Sequence, residues 1–110
     1  MNASKIDASI ANILTGMEKS IHAIIDEKNN TDFEDTIQDL MDIDLNDKFH
    51  PECSYNSNCF VLFDKIEEEL RNIYLYFHYD DKKQIKFLTT EIYNYVLFKN
   101  IDYFLPSNYK

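Results

Sequence analysis

The chain holds one glycine, Gly16, and two prolines, Pro51 and Pro106, in 110 residues. An antiparallel sandwich or small barrel reverses direction every ~8 to 12 residues and places Gly, Pro or a similar turn former at each reversal. A chain this poor in them runs in a few long elements, and helices are the elements that need the fewest turns. At this length a single domain over residues 1–110 can bury somewhat over ~60% of the surface its unfolded chain exposes. Hydrophobic residues at 45% beside charged residues at 28% place it with globular rather than disordered proteins. The heavy use of Asn, Ile, Lys and Tyr matches the coding bias of an AT-rich genome, so Ile and Tyr count for less as strand formers.

Periodicity supplies the elements. Ile6, Ile10, Ile13, Leu14, Met17, Ile21, Ile24 and Ile25 recur at steps of three and four, which predicts a first helix over 4–28 ended by "KNN" at 28–30. Gly16 inside it costs ~1 kcal/mol relative to Ala, which points to the close approach of a packed neighbour. Thr31 followed by Glu34 fits a capping box that opens a second helix with Phe33, Ile37, Leu40 and Met41 on its apolar face. Residues 46–58 have loop composition. Phe63, Ile66, Leu70, Ile73 and Phe77 then predict a third helix over 58–78, started from a Ser57 or Asn58 cap. "YDD" at 79–81 breaks and recaps the chain. Ile85, Leu88, Ile92, Tyr95 and Lys99 continue the spacing in a fourth helix, and Pro106 marks a tail over 106–110. The expected fold is all-α, a compact four-helix bundle. The alternative is α+β, with "NIYLYFHY" and "QIKFLTTEIYNYVLF" as a C-terminal β-hairpin over 73–98. The helices are preferred because the three-four spacing extends back through "DKIEEELRN", which no strand would contain.

Charge is the strongest functional signal. Residues 1–25 carry two bases and two acids, 26–69 carry three bases and fourteen acids, and 70–110 carry six bases and four acids, for a net charge of -9. The stretch 31–47 holds seven acids and no base. Asp35, Asp39 and Asp42 fall three and four apart along one side of the second helix, flanked by Asp32, Glu34, Asp44 and Asp47. An ordinary exposed helix mixes signs to gain pairs worth ~0.3 kcal/mol each. Asp42, Asp44 and Asp47 stand at the helix C-terminus, where the macrodipole disfavours negative charge by about 0.3 kcal/mol or more apiece. Stability does not account for their placement. The alternative is a solvated face that keeps an acidic protein soluble.

Such a field repels nucleic-acid phosphates and anionic membranes and attracts basic protein surfaces. The tract therefore reads as a docking surface, with Tyr55 in the following loop as an aromatic contact and Tyr93, Tyr95 and Tyr103 as further candidates. The expected function is that of a small acidic inhibitor, of immunity or antitoxin type, that neutralises a basic partner such as a nuclease toxin. No catalysis, cofactor or metal is expected, nor direct nucleic-acid binding; a homodimer is the alternative assembly. A cytoplasmic location is expected, because "MNASKIDASI" lacks an apolar run of signal-peptide length and "FVLF" at 60–63 is far too short to cross a bilayer. Cys53 and Cys59 would then stay reduced; in an oxidising compartment a bridge between them would contribute roughly 2 kcal/mol. An acidic secretion or assembly chaperone is a further reading, one that the β-hairpin would favour.

Two metal-like patterns fail on spacing. "DIDLND" lacks the glycine and distal glutamate of a calcium loop. "HPECSYNSNC" gathers His50, Glu52, Cys53 and Cys59, but five residues separate the cysteines where zinc pairs want two to four. Its "HPE" matches the His-x-Glu of zinc deaminases without their downstream Pro-Cys-x-x-Cys.

"ELRNIYLYFHYDD" places six residues between Arg71 and His78, with a polar Asn72 after the arginine. This resembles the Arg-x4-6-His signature of HEPN ribonucleases, helical proteins of similar size. The resemblance spans eight residues and implies a metal-independent RNA-cleaving site in which Arg71 and His78 from two protomers act together. Read from the residues alone, Arg71 pairs with Glu67 or Glu68 one turn back and His78 sits near a helix end favoured by the dipole. His22 on the first helix carries no motif.

Overall fold

The three-four spacing produces four helices: α1 (Asn2–Lys28), α2 (Thr31–Met41), α3 (Asn58–Tyr76) and α4 (Lys82–Lys99). The computed structural model describes residues 2–44 and 58–100, with side chains over 9–44 and 61–100. No strand occurs among the described residues, so the alternative hairpin over 73–98 is replaced by the end of α3, a turn and nearly all of α4. Most of the expected loop over 46–58, and the tail over 106–110, lie outside the described residues.

Contacts across the helices set their directions. Lys28 at the end of α1 stands over the ring of Tyr79 just before α4, while Asn100 at the end of α4 donates from Nδ2 to the Ile43 carbonyl after α2. Phe63 near the start of α3 meets Tyr93 in α4, and Tyr74 near its end meets Gln84. Helices α1 and α3 therefore run one way and α2 and α4 the other, an up-down-up-down bundle. Helix α4 packs against the other three. Its buried side, Leu88, Thr89, Ile92 and Val96, faces a core of Ile21 and Ile25 from α1, the α2 face Phe33, Ile37, Leu40 and Met41, and Leu62, Ile66, Leu70, Ile73 and Tyr74 from α3. Thr89 buries its hydroxyl without loss because Oγ1 donates to the Ile85 carbonyl at 2.7 Å.

Three local expectations change. Helix α2 is capped by Asn30, whose Oδ1 accepts from the Phe33 amide at 3.0 Å, so Thr31 is already inside the helix and the Thr31–Glu34 capping box does not form. Asn30 wins because Nδ2 also donates to the Tyr79 hydroxyl at 3.2 Å, a contact the shorter Thr31 hydroxyl would not duplicate. Asn30→Ala should lower stability by about 1 to 2 kcal/mol and Thr31→Ala by less than about 0.5 kcal/mol in urea melts. Equal losses would restore Thr31 as the cap.

Around Gly16, nothing lies within 4 Å of where a Cβ would stand, so close packing is not its reason. Helix α3 stops at Tyr76, two residues early. His78 takes φ 59, its amide donates to the Leu75 carbonyl at 3.1 Å and the Tyr79 amide to Tyr74 at 2.8 Å, the paired bonds of a Schellman termination. Asn29 at φ 48 closes α1 in the same left-handed conformation.

Candidate functional site

The apolar face of α2 is sealed into the core, which leaves the opposite side to water. Asp32, Glu34, Asp35, Asp39 and Asp42 are all exposed, as is Asp44 just beyond the helix. Asp32 and Glu34 lie in the first turn, where the helix dipole favours them. None of Asp32, Glu34, Asp35, Asp39 and Asp42 forms an ion pair among the described residues. Asp47 and Tyr55 lie outside the described residues.

The C-terminal end of the tract differs from expectation. Lys99, at the end of α4, donates from Nζ to the Met41 carbonyl and so takes up one of the open carbonyls of α2. Burial lowers the pKa of Lys99, and the carboxylates of Asp42 and Asp44 work against that lowering. The base that the stretch 31–47 lacks is supplied in space by a residue more than fifty positions away. Repulsion at Asp42 and Asp44 is thus compensated, whereas among the described residues no ion pair is made by the charges farther up α2.

A trough runs between α2 and α3. Two adjoining clefts of about 320 and 380 Å³ share Thr36 and Glu69. Asp39, Leu40, Ile43 and Lys65 complete one, and Asp32, Asn72, Ile73, Tyr76 and Phe77 the other. Asp32 and Asp39 therefore face α3, while Glu34, Asp35 and Asp42 lie on the outer ridge. Sequence reasoning missed Lys65, Glu69 and Tyr76. A usable signal was present in Tyr76, an aromatic off the apolar spacing of α3; it is 75% exposed, with its ring centroid 4.9 Å from that of Phe77. Tyr93 and Tyr95 are instead half-buried against the core, and Tyr103 lies outside the described residues.

A larger cleft, about 680 Å³, lies at the α3–α4 turn and is lined by Arg71, Lys82 and Lys86 together with Glu67, Asp80 and Asp81. Arg71 is held by Glu67 at 3.2 Å one turn back. His78 is exposed on its left-handed backbone and does not line the cleft. Acids match bases there, so the cleft offers no net positive field to a phosphate chain. In its wall the Tyr74 hydroxyl donates to Gln84 Oε1 at 2.5 Å, and Asp81 caps α4 by accepting from the Gln84 amide at 2.9 Å.

His22 meets Gln38 at 3.3 Å, a polar link between α1 and α2. No three His, Cys, Asp or Glu side chains gather in a metal-holding arrangement among the described residues. His50, Glu52 and Cys53 lie outside them, as does the Cys59 side chain. No described helix is long and apolar enough to cross a membrane. No protein-family model matches the chain, and neither a curated protein nor a solved structure is significantly similar to it.

Proposed function

We propose that this chain acts by binding, as a cytoplasmic inhibitor of immunity or antitoxin type whose acidic α2 side neutralises a basic protein such as a nuclease toxin. One observation carries the reading: four exposed carboxylates, Asp32, Glu34, Asp35 and Asp39, in no ion pair among the described residues, stand on a helix whose other side is locked into the core. Charges held on a rigid support attract a basic surface from a distance and need no reordering when it arrives. Tyr76, exposed beside them, offers the stiff amphipathic ring that interfaces use as an anchor.

The test is to express the chain with its genomic neighbours, recover what binds at low salt, and measure association with the purified partner. Asp35→Asn, Asp39→Asn and Asp42→Asn combined should slow association by about tenfold or more at ~0.01 M ionic strength, where the Debye length is ~30 Å, and flatten its salt dependence. A partner whose affinity ignores both salt and these charges removes the docking surface. A partner-free homodimer that cleaves RNA, and stops doing so as Arg71→Ala or His78→Ala, replaces the binding reading with the ribonuclease one.

A further inference from the structure

Resting on the binding role just proposed, we infer that the α2–α3 trough, rather than the whole acidic tract, is the seat of the partner, and that its occupant is a short basic segment carrying an apolar side chain. The two clefts of the trough lie next to each other along α2, with Thr36 and Glu69 lining both. From Asp32 to Ile43 they flank about 16 Å of α2, the length of roughly three helical turns. Among the described residues, the trough walls carry Asp32, Asp39 and Glu69 against one base, Lys65. The floor is apolar: Leu40 and Ile73 are buried at the edge of the core, and Ile43 and Phe77 are half-buried against it. A lysine or arginine finds carboxylates on both sides of the trough, and an apolar neighbour on the same segment finds the floor.

Charge also selects among occupants. A second copy would bring nine net negative charges to a trough that is itself negative, so a basic partner is favoured over self-association. Lys99 already serves the Asp42 end of α2, which turns the partner's bases toward Asp32, Asp39 and Glu69. Tyr76 lines the trough and projects from it, placed to close over the bound segment.

Two synthetic peptides of twelve residues test this against the full-length ¹⁵N-labelled chain at low salt, one alternating Lys and Leu, the other all Lys. The Lys/Leu peptide should bind more tightly despite half the charge, with the largest amide shifts at Thr36, Glu69, Asn72 and Tyr76. Thr36→Lys, which places a base inside the trough, should weaken it by about tenfold or more, and Glu69→Gln should act in the same direction. Asp35→Asn makes the same one-unit charge change on the outer ridge and should cost only about two- to threefold. Tighter binding of the all-Lys peptide, with shifts centred on Glu34, Asp35 and Asp42, would overturn the trough and leave the acidic binding role standing. Failure of both peptides to bind at low salt would remove both.

Discussion

Phe33→Ala should lower the free energy of unfolding by about 3 to 5 kcal/mol, the range for emptying a large aromatic site in a core. Phe33 is fully buried, and its ring meets those of Tyr74 at 5.7 Å and Tyr79 at 5.8 Å edge-on, while those two meet each other at 5.6 Å. Each such edge-to-face pair is worth about 0.5 to 1.5 kcal/mol beyond burial. Lys28 lies 4.5 Å from the centroid of Tyr79, and Asn30 bonds the Tyr79 hydroxyl. The three rings thus join the end of α1, the start of α2 and the end of α3 at one point. A domain with the usual 5 to 15 kcal/mol of total stability would be brought close to unfolding. Urea titration should show a lower midpoint at an unchanged slope. Phe87→Ala, at a half-exposed site on α4, should cost under about 1 kcal/mol in the same assay. Similar losses at the two positions would mean that the ring cluster does not organise this end of the bundle.

Alkaline pH should destabilise the protein through Tyr74. Burial, aided by the carboxylates of Asp81 and Glu27, holds its hydroxyl protonated well above the ordinary value of 10.0. Once the pH passes 10, tyrosine ionises in the unfolded chain but not in the folded one. The unfolded state then binds fewer protons, and stability falls by up to about 1.4 kcal/mol per pH unit until the folded group itself ionises. Tyr95 adds to the fall, its pKa raised by burial and by Glu18 and Asp42. Lys99 opposes it: its folded pKa is lowered, so the folded state releases a proton first and gains stability as pH rises toward 10.5. Asp42 and Asp44 restrain that lowering, and Tyr74 is the group with the large shift, so the net change is a loss. Tyr74→Phe should start about 1 kcal/mol less stable at pH 8, having lost the bond to Gln84, and decline less steeply, so that the two curves cross at pH ~10.7. Parallel curves would exclude the Tyr74 hydroxyl as the source.

Several features of the surface depended on which neighbours the fold brings together. The stretch 31–47 announces an excess of negative charge without telling which charges a cation will reach. Lys99 meets the Met41 carbonyl across the bundle, and Glu69 shares a trough with Asp39 from a separate helix. Coulomb energy depends on distance in space, and distance along the chain carries no record of it. Arg71 was more legible, because its partner Glu67 lies one turn away on the same helix.

Read along the chain, the three-four recurrence of apolar residues was sufficient for the all-α class, the four helices and the buried face of α2, since each follows from a 3.6-residue turn and the exclusion of apolar groups from water. It was insufficient for α1. Ile10, Ile13, Leu14 and Met17 share the apolar stripe with Ile21 and Ile25, yet only the last two belong to the buried core, and Ile13 is 40% exposed. Helix α1 has 27 residues and α2 has 11, about 40 Å against about 16 Å, so α1 overruns its neighbour. Periodicity establishes which side of a helix is apolar; how much of that side is covered was decided only in the tertiary structure, by the lengths and positions of the helices packed against it.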